Sequence, residues 1–173
     1  MTLEPGGRAA RRDAATLVEE VADLLRARTE TLAVAESACG GLLSHLLTNT
    51  PGSSAWFRGA VIAYSNKAKL DLLGLSQELL DSAGAVSATC ALAMARGARL
   101  RLQADWGLAE TGIAGPQTGR RSTKPAGLAY LAACGPGVER VIEVRSGLDE
   151  RLANKEAFAT AALELLLALL RSR

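Results

Sequence analysis

The sequence contains one histidine, His45, and three cysteines, Cys39, Cys90 and Cys134, with no CxxC pair among them. A lone imidazole excludes a multi-histidine metal site and any catalytic triad not built on that residue. An odd, scattered set of cysteines suggests neither a disulfide framework nor a zinc site, and a reducing, cytoplasmic setting is the default expectation. Aromatic residues make up only 3%, and the net charge of +2 comes from acids and bases mixed along the chain. Nucleic-acid binders cluster their basic residues and supply aromatics for base stacking, so no nucleic-acid partner is expected. No apolar run of membrane-spanning length is uninterrupted. The nearest, AFATAALELLLALL, is broken by Glu164 and reads as a buried helix, so no membrane partner is expected either. The N-terminal MTLEPGGRAARR lacks the apolar core of a secretory signal.

What is present is a chain of 173 residues, 49% hydrophobic and 22% charged, which is enough to bury a core without staples. Residues 1–12 read as a flexible, basic segment and 13–173 as one domain. Leu17, Val18, Val21, Leu24 and Leu25 recur at helical spacing. TLAVAE is a short apolar strand, followed by a glycine turn and a helix from about Gly41 to Leu47. AVIAYS reads as a strand, and NKAKLDLLG as a helix stopped by Gly74. SQELLDSAG reads as a helix capped by Ser76 and ended by Gly84, and SATCALAMARGARLRLQ as a longer one. ADWGLAETG is a strand candidate running into the glycine- and proline-rich GIAGPQTGRRSTKPAG. GLAYLAAC and ERVIEVRS form a hairpin across GPG, and a helix from Asp149 closes the chain. Helices alternate with strands until two adjacent strands appear near the end. That order predicts an α/β protein, a three-layer α/β/α sandwich on a mixed sheet with one strand antiparallel.

Three polar loops, ESACGG, YSNKAK and TGIAGPQTG, each follow a strand, and in open α/β folds ligands sit at the carboxyl ends of strands. The first pairs Ser37 and Cys39 with a helix N-terminus, whose N–H groups suit a phosphate or a developing oxyanion. The same residues also serve as a capped turn with glycines relieving it. The second offers Tyr64, Lys67 and Lys69. A lysine activates a serine only if its pKa is lowered, and two nearby lysines are more often a solvated helix face. The third holds Thr111, Gly112 and Gly115, followed by Arg120, Arg121 and Lys124. A loop of that kind binds anions through its N–H groups, or simply crosses the surface.

Taken in order, AESACGG, AWFRGAVIAYSNKAK, AVS, TGIAGP and KPAG resemble the successive motifs of the CinA C-terminal domain family. The resemblance runs from about Leu17 to the last helix. It implies a stand-alone amidase, without cofactor or metal, that hydrolyses nicotinamide mononucleotide to nicotinate mononucleotide and ammonia in pyridine nucleotide salvage. The chain has no room for the additional N-terminal domain of longer members, so the single-domain form is expected, as a homodimer. Ser37 matches the nucleophile, Lys69 its general base, and Tyr64 a tyrosine of the same site. Thr111, Gly112, Ala114 and Gly115 fall on the substrate-binding loop. In SGLDERLANKEA, Arg151 with Lys155 are nearest to the family's arginine-bearing segment. This chain has Cys39 where the family usually has threonine and Thr118-Gly119 where it has a double glycine. It also carries two extra residues before the last helix.

On that resemblance, Ser37 attacks the carboxamide carbon while a neutral Lys69 takes its proton. N–H groups around Cys39, Gly40 and Gly41 hold the oxyanion, and Arg120, Arg121 or Lys124 hold the phosphate. An ordinary lysine is neutral at about one part in a thousand at neutral pH, so burial must supply the shift. Two other readings stand beside it. Cys39 with His45 makes a cysteine hydrolase, although six positions along a helix point the two apart. A catalytically silent nucleotide-binding or interaction domain on the same fold is the other, and the presence of both Ser37 and Lys69 counts against it.

Overall fold

A computed structural model describes residues 13–116 and 123–173. Residues 1–12, and with them the expected flexible segment, lie outside the described residues, as do Thr118, Gly119, Arg120 and Arg121. Five strands, β1 (Leu32–Glu36), β2 (Phe57–Ile62), β3 (Trp106–Gly112), β4 (Leu128–Gly135) and β5 (Val138–Arg145), lie in the order β2-β1-β3-β4-β5. β1 is parallel to β2 and β3, whereas β4 is antiparallel to β3 and β5. β4 is therefore the one reversed strand in a mixed sheet.

Helices cover both faces, which gives the expected three layers. α1 (Ala14–Arg28), α2 (Leu42–Thr48) and α6 (Arg151–Arg171) lie on one side. α3 (Asn66–Leu73), α4 (Gln77–Ala83) and α5 (Ala88–Arg101) lie on the other. The strand pleat sorts the residues between them. Leu32, Val34, Trp106, Leu108 and Leu131 pack against Leu17, Val21, Leu25, Phe158, Leu163 and Leu166. Each such buried side chain contributes about 1.5–3 kcal/mol. The opposite face is nearly all alanine, with Ala33, Ala35, Ala109 and Ala132. Those short side chains let α5 lie close to the sheet: a Cβ on Gly107 would come 2.1 Å from the Ala95 carbonyl oxygen. α6, with its run of leucines, is buried as expected of AFATAALELLLALL. Among the described residues, no helix is long and apolar enough to cross a membrane.

Boundaries differ from expectation where pairing or capping intervenes. β2 starts at Phe57, earlier than AVIAYS, because Phe57 already pairs with Leu32 and the Leu32 N–H donates to Trp56 O at 2.7 Å. It ends at Ile62, because Ser65 is the N-cap of α3, its Oγ accepting the Ala68 N–H at 3.1 Å. The hairpin is tighter than the GPG spacing suggested, since Gly135 pairs with Val138 and leaves Pro136-Gly137 as the turn. The last helix begins at Arg151, with Glu150 at its N-cap.

The three parallel strands end on one edge of the sheet, where β5 also hands over to α6. The chain moves from β1 outward to β2 and then back across to β3, so the crevice between β1 and β3 is the topological switch point of the sheet.

Candidate active site

Ser37 follows the last residue of β1 and lies on the α3 and α5 side of the sheet; it is 8% exposed. Lys69 reaches it from the first turns of α3. The Ser65 cap sets the helix phase, and Lys69 shares the buried face with Leu73 one turn on. The Lys69 ammonium nitrogen is 3.0 Å from Ser37 Oγ and 2.8 Å from the Ala63 carbonyl oxygen. The lysine is 2% exposed. Burial lowers its pKa from the ordinary value, opposed by Cys90 and by the Glu110 carboxyl. A buried amine of lowered pKa at hydrogen-bond distance from a hydroxyl can accept the hydroxyl proton. Lys67 points outward and pairs with Asp71 at 2.7 Å, so the two lysines of YSNKAK have separate environments.

Ser37 and Lys69 line a cavity of about 990 Å³ at the switch point, together with Ala38, Tyr64, Thr111 and Arg151. Gly112, Ala114 and Gly115 line it as well. Its volume is in the range of small-molecule sites. Tyr64 is 62% exposed, and its hydroxyl accepts from Arg151 Nη2 at 3.0 Å while Arg151 Nη1 donates to Gly115 O at 2.7 Å. Arg151 thus ties the loop after β2 to the loop after β3. Asn154, fully buried one turn along α6, donates to Ala114 O at 2.9 Å and Leu148 O at 3.1 Å, which fixes the same loop from beneath. Thr111 spends its hydroxyl proton on Ala85 O at 2.7 Å. Gly115 has φ +71°, and a Cβ there would meet Ala126 at 2.7 Å, so loop packing already requires this glycine. Lys124 lines the cavity, donating to Val86 O and lying over the Tyr130 ring.

Cys39, Gly40 and Gly41 do not line the cavity, and two of the three expected oxyanion donors are already bonded. The Cys39 N–H, with that of Ser37, donates to Glu110 Oε1, at 2.7 and 2.6 Å. The Gly41 N–H donates to Glu36 Oε2 at 2.8 Å. Leu43 and Ser44 N–H groups also go to Glu36, at 3.2 and 2.8 Å, and the Ser44 hydroxyl donates to it. Glu36 is thus the internal anion of the α2 N-terminus, filling the place foreseen for a phosphate or oxyanion. The Cys39 thiol is fully buried and donates to Lys155 O at 3.5 Å. Burial and the neighbouring Glu110 and Glu36 push its pKa upward. His45 is exposed and its ring contacts Asn49 at 3.3 Å, so the structure does not bring Cys39 and His45 together. Lys155 stands behind the loop, its Nζ 3.8 Å from a Cβ built on Gly40.

Sequence reasoning missed Glu36, Glu110, Ala38 and Asn154. For Glu110 there was a signal: a lone carboxyl in the apolar run GLAETG, in the same strand parity as Trp106 and Leu108. Among the described residues, no three His, Cys, Asp or Glu side chains gather in a way that could hold a metal ion.

A family model described as the CinA C-terminal domain matches residues 14–170. The chain belongs to this family. A CinA-like protein of Nostoc punctiforme is 55% identical over 121 residues, covering 70% of this chain and 29% of that protein. A CinA-like protein of Gloeobacter violaceus is 49% identical over 135 residues, covering 78% of this chain and 32% of the relative. The chain thus spans about a third of the length of these relatives. Among solved structures, the competence/damage inducible protein CihA of Agrobacterium tumefaciens superposes with a TM-score of 0.86 at 38% identity, over 98% of this chain and 99% of that one. A CinA superfamily protein of Klebsiella pneumoniae gives 0.88 at 28% identity, over 94% and 100%. The CinA domain fold therefore extends over nearly the whole described chain.

Proposed function

We propose that this CinA domain is an amidohydrolase that converts nicotinamide mononucleotide to nicotinate mononucleotide and ammonia by a serine–lysine mechanism. The observation that carries the reading is the 3.0 Å approach of Lys69 Nζ to Ser37 Oγ, buried at the floor of a cavity open to a small molecule. Ser37 Oγ attacks the carboxamide carbon as neutral Lys69 takes its proton, and the carbonyl oxygen becomes an oxyanion. With the Cys39 and Gly41 N–H groups engaged and Gly40 off the cavity, Ala38 is the residue of the turn left to offer a donor there. That residue lines the cavity, and its N–H is bonded to no acceptor among the described residues. One such donor is worth about 10²–10³ in rate. The protonated Lys69 then hands its proton to the departing nitrogen. Ammonia leaves, and water, deprotonated by the same lysine, cleaves the acyl-serine.

Arg151 and Tyr64 frame the mouth of the cavity, where the nucleotide's polar end is placed in this reading, with Lys124 on the facing wall. Residues 13–173 act as one amidase domain, paired as a homodimer. Burial and the separation of His45 from Cys39 disfavour the Cys39 alternative, because a thiol with a raised pKa is a poor source of thiolate. The test is to incubate the purified protein with nicotinamide mononucleotide and assay ammonia, with and without chelator. Release undiminished by chelator is expected. Loss with chelator and return with zinc overturns the mechanism.

A further inference from the structure

On the other face of the sheet, beneath the nucleophile loop, Glu110 is a fully buried carboxyl that the proposed chemistry does not use. Its Oε1 holds the N–H groups of Ser37 and Cys39, the two residues flanking Ala38. Its Oε2 is buried with no hydrogen-bond partner among the described residues. Two N–H groups converging on one oxygen form an anion nest, here built from the backbone of the nucleophile itself. We propose that Glu110 is a positioning residue of the Ser37–Lys69 pair, clamping the turn that presents Ser37 and setting through its charge the pH at which Lys69 serves as base. The inference rests on the serine–lysine reading.

The titratable groups near Glu110 are Glu36 on β1, Cys39 in the loop and Lys69 on α3; β4 faces it with the apolar Leu131, and Lys155 on α6 lies by Cys39 and Gly40. Around Lys69 they are Cys90 on α5 and Glu110 itself. Cys90 stays a thiol because burial pushes its pKa up. Burial pushes the Glu110 carboxyl up to about 7, against the pull of the two N–H bonds. The group therefore changes charge near neutrality. Ionised, it binds the turn most strongly and holds the Lys69 proton more tightly. Protonated, it loosens both effects.

E110Q keeps an oxygen for the two N–H groups and removes the charge. E110L removes both. The readouts are kcat/KM for nicotinamide mononucleotide and the rate of Ser37 labelling by a fluorophosphonate, each from about pH 5 to about pH 9. Thermal melts check folding. For E110Q, the acid limb of both profiles should move down by about one pH unit, with a plateau within about tenfold of wild type. E110L should lose about a hundredfold at every pH, the scale of a misplaced reacting group. Profiles of wild type and E110Q that superimpose overturn the proposal, as does E110Q as inactive as E110L. Should E110L not fold, the E110Q profile alone decides. A wild type that labels with the expected E110Q shift but does not turn over the nucleotide sinks the substrate assignment and sustains the role of Glu110. A wild type that neither labels nor turns over sinks both.

Discussion

Consecutive residues at the end of β1, Glu36 and Ser37, enter two opposite environments. On the α3 and α5 side, Ser37 meets Lys69 at the floor of an open cavity. On the α2 and α6 side, Glu36 and Glu110 sit side by side in a sealed region and accept five backbone N–H groups between them. The open side holds the groups suited to chemistry. The sealed side holds the carboxyl groups whose oxygens order the turn. A helix N-terminus after a glycine turn suggests a ligand site, yet here the protein supplies its own anion. Ser37, one residue further on, turns through the pleat to the other face and meets Lys69 there.

The sharpest way to break this contrast is to exchange the two candidate nucleophiles. Ser37→Ala should reduce amide turnover to background, whereas Cys39→Ser should keep most of it, because the thiol lies on the sealed side. Parallel turnover assays decide. An active Ser37→Ala beside a dead Cys39→Ser would reverse the assignment. Lys69→Met, of similar length but without the amine, should cost about a thousandfold or more in kcat with a much smaller change in KM, since a base acts chiefly in the transition state.

On the sealed side the effect should fall on stability. Glu36→Ala leaves three N–H groups of the α2 turn without their acceptor, at a cost of about 3 kcal/mol. In a domain of this size that corresponds to a fall in Tm of about 8 °C, read by thermal denaturation. Glu110 gives a signed pH dependence. Its carboxyl is raised from 4.5 in the unfolded chain to about 7 in the fold. The stability it contributes is therefore full below about pH 4.5 and is lost as pH rises through about 7, by about 3 kcal/mol in all. The difference in Tm between wild type and E110Q, followed across that range, should change in this direction. A flat difference would show that the carboxyl is not held protonated by the fold. The smallest effect belongs to Lys67→Ala. Its ion pair with Asp71 is exposed, so stability should change by less than about 0.5 kcal/mol. Turnover should stay near wild type.

Much of the fold was legible because its signals are local. The alternation of helices and strands, Gly74 and Gly84 as helix stops, Ser76 as a cap and the Pro-Gly hairpin depend on residues a few positions apart. The start of β2 was less so. Phe57 became strand only because β1 offered a partner for it. In the site, ordered motifs pointed to Ser37, Lys69, Tyr64 and the loop around Gly115, and these do gather around one cavity. Cys39, Gly40 and Gly41 lie off that cavity. A glycine turn opening a helix reads the same whether its N–H groups face a ligand or a carboxylate of the same chain.

The sequence by itself determined which segments are helix or strand, the order of the family's motifs, and the presence of a serine and a lysine in two of them. The tertiary structure decided which face of the sheet each group enters and what it meets there. Ser37 and Lys69 are 32 positions apart, and Ser37 and Glu110 are 73. Only the pairing of β1 with β3 and the packing of α3 close those separations. Desolvation then follows from the closure: it lowers the pKa of Lys69 and raises that of Glu110. A pKa of that kind belongs to a place in the fold, because the water that sets its ordinary value is removed only when distant segments meet.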